Sequence, residues 1–168
     1  AYRSLGRYQE ALGAFRRAGD VSAEDPNLWI GLGKVYGDLF QYSEAREAFR
    51  HALTVDSEDV RAHRGIGHSY LLEFDHPRAL EAFAKALELE PDDRRTLYCV
   101  ASIEYHSGRT RVALDLLGQA LSDGAEEIDI PLLAALAHAR LGEFGEAMKH
   151  VDRAAELVPE IEMASDPY

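Results

Sequence analysis

The chain has 168 residues, 46% hydrophobic and 29% charged, the proportions of one ordinary globular domain. Thirty acidic residues against eighteen Lys and Arg leave a formal charge of −12, which disfavours nucleic-acid backbones and anionic membranes as partners of the surface as a whole. A single cysteine, Cys99, allows no internal disulfide, so a reducing cytoplasm is the default setting; no 18-residue apolar run suggests membrane insertion, and no leader segment is visible.

The elements follow from one offset. Shifted by 34 residues without insertion, the sequence matches itself. Residues 1–25 form a partial unit, followed by units at 26–59, 60–93, 94–127 and 128–161 and a short tail at 162–168. Each unit opens after an acidic pair, Glu24–Asp25, Glu58–Asp59, Asp92–Asp93 or Glu126–Glu127, where acids cap free amides and meet the positive end of a helix dipole. A first helix follows, with a small-residue column at Gly33, Gly67, Ala101 and Ala135 and an aromatic column at Tyr2, Tyr36 and Tyr70.

A turn column then reads Gly6, Phe40, Phe74, Gly108 and Gly142. Glycine there suits a left-handed residue just past a helix end. Phe40 and Phe74 are expected to avoid that conformation, with the chain rearranging around them. The second helix of each unit carries alanine at 11, 45, 79, 113 and 147 and again at 18, 52, 86, 120 and 154, with Phe15, Phe49, Phe83, Leu117 and Val151 between them. Alanines seven apart put two small gaps on one face, where the preceding helix approaches closely. The chain is therefore expected to be all-α, about nine helices of about 13 residues, each about 20 Å long.

This pattern, clearest in "WIGLGKVY" with "QYSEAREAFRHAL", resembles the tetratricopeptide repeat over nearly the whole chain. The resemblance implies a right-handed superhelical solenoid of antiparallel helix pairs, whose first helices line a concave groove for peptides or partner helices. Carried over position by position, the peptide-groove residues include Lys34, Arg61, Arg64, His68, Leu72, Arg95, Tyr98, Ser102, Tyr105 and His106, with Ile30, Leu132, Leu136 and Arg140 also in the lining. The full lining holds six bases and two acids, +4 in a chain of −12. Such a groove suits a protein or peptide segment that is acidic with apolar anchors. The lysine–asparagine–arginine clamp by which some members hold chaperone tails is matched here only at Arg95.

Other motifs have structural explanations. "GLGKVYG" at 31–37 has the spacing of a phosphate loop but sits inside a helix, and it returns as "GIGHS" one unit later, as close helix packing requires. His63, His76 and His138 occupy columns of packing aromatics, while His51 and His150 are expected to face outward or toward the next unit. No histidine pair has the four-residue spacing of a zinc site, and no metal, cofactor or catalytic set is expected. Glu104 and His138 fall in the tyrosine column of successive units and are expected to meet or share a water, since a buried carboxylate needs a partner; the alternative is a solvent-exposed Glu104 that interacts with nothing. The function expected is a non-enzymatic interaction module, an adaptor or assembly scaffold. The alternative is the regulatory or substrate-recruiting arm of a larger enzyme. Both solenoid ends are expected to expose apolar faces, as in a fragment of a longer array; the alternative is end-to-end or swapped self-association that covers them.

Overall fold

The fold is that of a computed structural model, which describes residues 24–121 and 128–157 together with Glu10 and Gly13. Eight helices follow in order: α1 Pro26–Asp38, α2 Tyr42–Val55, α3 Val60–Leu72, α4 His76–Leu89, α5 Arg94–His106, α6 Thr110–Leu121, α7 Asp129–Arg140 and α8 Phe144–Glu156. No strand occurs among the described residues. The expected first helix and the acidic pair at 126–127 lie outside the described residues.

Acids cap the starts of α1, α3, α4 and α5. The Asp25 carboxylate accepts from the Asn27 amide at 2.9 Å, with Pro26 opening α1. Asp59 accepts from the amides of Arg61 and Ala62 at 2.9 and 3.2 Å. Asp93 accepts from the Thr96 amide and hydroxyl, and Asp75 from the Arg78 amide at 3.1 Å. Each removes an amide that would otherwise lack a partner at the helix end.

Helix ends bring a correction. Phe40 and Phe74 adopt the left-handed backbone, both at φ 60°, as Gly108 and Gly142 do at 82° and 78°. The turns have not rearranged, because the same pair of bonds closes all four. Phe40 N–H donates to Gly37 O and Gln41 N–H to Tyr36 O; Phe74 and Asp75 repeat this with Leu71 and Tyr70. The glycine turns use Tyr105 and Glu104, then Ala139 and His138. This Schellman closure satisfies two terminal carbonyls, and the phenyl rings escape crowding by pointing into solvent, 78% and 84% exposed.

The chain divides into two compact units, Ala1–Thr96 and Leu97–Tyr168, with α5 running across the division. In the first, α1 packs on α2, α2 on α3 and α3 on α4, and α1 also meets α3. Ala45, Ala52, Ala79 and Ala86 are wholly buried, which lets the helices approach closely. The Phe49 ring fills the space that opens: a β-carbon on Gly33 would stand 2.6 Å from it, and one on Gly65, in the next unit of the repeat, 2.5 Å. Phe83 occupies the hollow over Gly67 in the same way, at 2.6 Å.

In the second unit α7 packs between α6 and α8. Ala113 and Ala120 are wholly buried, and the equivalents of Gly67 and Phe83 are Ala101 and Leu117, both fully buried. A methyl group gained on the first helix is matched by a smaller side chain on the second. Gly67→Ala is therefore expected to cost about 1–3 kcal/mol by overpacking against Phe83, and clearly less in a Phe83→Leu background. Urea unfolding of the four species checks this, and equal costs in both backgrounds would contradict it.

Candidate partner-binding surface

In the first unit, the sequence-derived residues lie on the first helices. Lys34, Arg61, His68, Leu72 and Arg95 are exposed and Arg64 is half-buried. Ile30 is not surface: at 3% exposure it belongs to the core with Ala45, Phe49, Ala52 and Ala62.

Arg61 and Arg64 have partners within the chain. Arg61 Nε and Nη2 donate to the two Asp59 oxygens at 3.1 and 2.6 Å, and Nη1 donates to Asn27 Oδ1 at 2.8 Å, linking successive units. Arg64 Nη1 donates to Asp93 Oδ1 at 2.6 Å. The capping acids thus serve twice, holding a helix end and a guanidinium together. Burial of Asp59 pushes its carboxyl upward, but the Arg61 bond, the Ala62 and Arg61 amides and the Arg61 charge outweigh this and hold it below its usual range. Burial by surrounding side chains and the Arg64 charge hold the His68 imidazole below its usual range, although the residue is open to solvent on one side. A hollow of about 410 Å³ lies beside the α2–α3 turn, its wall mostly charged: Asp56, Glu58, Asp59, Arg61, Arg64 and Glu90, with Val60.

The second unit presents a different surface. From Ile130 to Ala137, α7 has no polar residue. It buries Ile130, Pro131, Leu133, Ala134, Ala135 and Ala137, yet leaves Leu132 and Leu136, one turn apart, 41% and 56% exposed. A helix apolar on all sides is normally enclosed, so this stripe stands out. Beside it Arg140 lies over the Tyr105 ring at 3.8 Å and donates to the Tyr105 carbonyl at 2.6 Å. Tyr98 and Ser102 are half-buried on α5. Burial and the Asp129 charge raise the Tyr98 hydroxyl, keeping it a neutral donor. His106 is exposed, its Nδ1 at 2.7 Å from the Ser102 carbonyl. The sequence columns included Leu132 and Leu136, but the arginines carried the reading. The unbroken apolar run of α7 was the signal to weigh.

Glu104 and His138 do not meet as expected. Each takes a partner five residues on, across its own left-handed turn: Glu104 binds the Arg109 guanidinium with both oxygens, and His138 Nδ1 lies 2.7 Å from Glu143 Oε2. The His138 ring also stacks on His150 at 5.3 Å, and His51 stacks on Trp29 at 4.5 Å. His51 is exposed, as expected, while stacking on the first helix of its own unit; His150, half-buried, lies against α7 of its own unit. Among the described residues no group of three His, Cys, Asp or Glu could hold a metal ion, and no helix is long and apolar enough to cross a membrane.

Asp59→Asn keeps a good cap while removing the charge that Arg61 answers. Because the folded carboxyl lies below its unfolded value, its stabilisation is fully present above about pH 4 and is lost as pH falls through the folded value. The half-exposed Arg61 limits the gap between parent and variant to about 1 kcal/mol near pH 7. Urea midpoints should show that gap closing as pH falls below about 4; a gap constant with pH would contradict the pairing.

A family model described as Tetratricopeptide repeat matches residues 30–94 and 100–160. No curated protein matches in sequence. Among solved structures, the chain is similar to the crystal structure of MamA at 20% identity, covering 92% of this chain and 91% of that one, with a TM-score of 0.75. It is similar to YrrB, described as a TPR protein with an unusual peptide-binding site, at 20% identity over 95% and 82% of the two chains, TM-score 0.67. A chain of the APC/C hetero-tetramer Cut9–Hcn1 matches at 20% identity and TM-score 0.79 over 91% of this chain but 29% of its own. At these identities the likeness is one of fold.

Proposed function

We propose a function from the premise that this chain belongs to the tetratricopeptide-repeat family, whose members share this all-α fold and serve as protein–protein interaction modules: it is a non-enzymatic adaptor or assembly scaffold that binds a peptide or helix of a partner protein along its first helices. The observation that carries the proposal is the exposed Leu132–Leu136 stripe on α7, an apolar face on a helix whose other sides are already buried. Tyr98 and Tyr105, with Arg140 across the Tyr105 ring, supply an aromatic and cationic margin of the kind that anchors a bound segment. YrrB, of like fold, is described as having a peptide-binding site, which favours the same use here.

The partner segment is proposed to be acidic with large apolar anchors. Its anchors take up the leucine stripe. On the first unit, taken by itself, Lys34, Arg61, Arg64 and Arg95 read carboxylates of such a segment in competition with groups of the chain itself, Asp59 and Asp93 among them. That competition makes the charged part a source of specificity more than of affinity. The overall charge of −12 disfavours nucleic acid, and a cytoplasmic setting belongs to the same proposal. Self-association is proposed through α8, where Phe144, Met148 and Val151 are exposed although the Val151 column is buried at Phe49, Phe83 and Leu117.

Leu136→Asp tests the proposal. It removes an anchor at an exposed position, so melting should be unchanged while the dissociation constant for a partner recovered by pull-down rises about tenfold or more in calorimetry. Affinity equal to that of the parent would place the binding surface elsewhere.

A further inference from the structure

Two aromatic side chains stand in the open where the backbone penalises them. The left-handed conformation disfavours any residue with a β-carbon, and glycine avoids that cost at the equivalent turns, Gly108 and Gly142. Phe40 and Phe74 bear it twice, 34 residues apart in the first unit, and their exposure of 78% and 84% means that folding buries too little of either ring to offset it. The closing bonds hold the backbone, and Phe40 meets the Tyr42 ring edge-on at 6.4 Å, but neither covers the exposed faces, and strain kept with so little burial points outside the chain, to something that covers the rings.

The surroundings favour a cation. Each ring follows the C-terminal end of a first helix, α1 or α3, where the helix dipole is negative. Asp38 and Glu44 are exposed beside Phe40, and Glu73 and Asp75 flank Phe74. Arg46 and Arg78 answer Glu73 and Asp75 and Arg50 reaches the Tyr70 hydroxyl, so Asp38, Glu44, Glu73 and Asp75 outnumber the bases along this edge by one. The same turn already shows the pairing in question: the guanidiniums of Arg46 and Arg78 lie over the Tyr70 ring at 4.4 and 4.6 Å. Aromatic faces here take guanidinium groups, and two further faces remain open to solvent.

We propose that the edge of the first unit carrying Phe40 and Phe74 docks a basic, arginine-bearing segment of a partner protein, with one cation over each ring. Because α1 packs against α3, their equivalent ends lie on the order of 10 Å apart. A polyproline-type backbone returns the same face every three residues, about 9 Å along its axis, which fits cations spaced three apart. This edge is separate from the leucine stripe of α7 and asks for the opposite charge, so either surface can fail its test without the other.

The test uses the full chain and a synthetic Arg-Pro-Pro-Arg-Pro-Pro peptide, with the glutamate version as control. The Phe40→Gly/Phe74→Gly double variant carries the same charge as the parent, so general attraction of the basic peptide to an acidic protein is held constant. Relief of backbone strain is expected to make this variant melt above the parent, which removes misfolding as an explanation. A Phe40→Leu/Phe74→Leu variant keeps apolar bulk but loses the ring. The expected result is parent binding of the arginine peptide, not the glutamate one, and about tenfold weaker binding by both double variants in calorimetry. Equal affinity for the parent and either double variant would overturn the proposal. So would absence of parent binding, or self-association of the parent that disappears in the glycine variant, which would make a second copy the occupant.

Discussion

A single ring held between two glycines is the contact on which the rest of the first unit depends. Phe49 fits only because Gly33, on the first helix of its own repeat, and Gly65, on the first helix of the next, both lack a β-carbon. That one side chain ties the helix pair α1–α2 to α3, and full burial of a phenyl ring contributes roughly 1.5–3 kcal/mol at each such point. The alanines at 45 and 52 follow from it, since larger residues would push the helices apart and empty the hollow that the ring fills. A solenoid has no central core, so stability is the sum of such local contacts repeated along the chain.

The same 34-residue spacing explains what was legible in the sequence. Alanine columns, caps and helix pairs recur in register, and repetition exposes a packing rule more clearly than any single segment does. What escaped the reading was set by geometry that does not recur as residue identity. Phe40 and Phe74 take the left-handed turn because the closing hydrogen bonds fix the backbone there whatever the side chain. Glu104 reaches Arg109, and His138 reaches Glu143, across a turn five residues long, a spacing outside the three-and-four rule of helix faces. Arg64 finds Asp93 at a separation of 29, so its partner is visible only once the repeats are stacked.

These pairings divide the surfaces by use. In the first unit Arg61 and Arg64 of α3 are held by the capping acids Asp59 and Asp93, which orders them and lowers what they offer a ligand. In the second unit the exposed face is apolar, Leu132 and Leu136 beside Tyr105 and Arg140, the composition expected where affinity is generated. Different in chemistry from both is the aromatic edge at Phe40 and Phe74, strained and acidic in its surroundings.

The central claim, one ring shared by two glycine hollows in successive repeats, is tested most directly by proton NMR. The account predicts nuclear Overhauser contacts from the Phe49 ring to the α-protons of both Gly33 and Gly65, with both glycines strongly shifted by the ring and both shifts lost together in Phe49→Leu. Contacts to only one glycine, or shifts that survive the substitution, would contradict it.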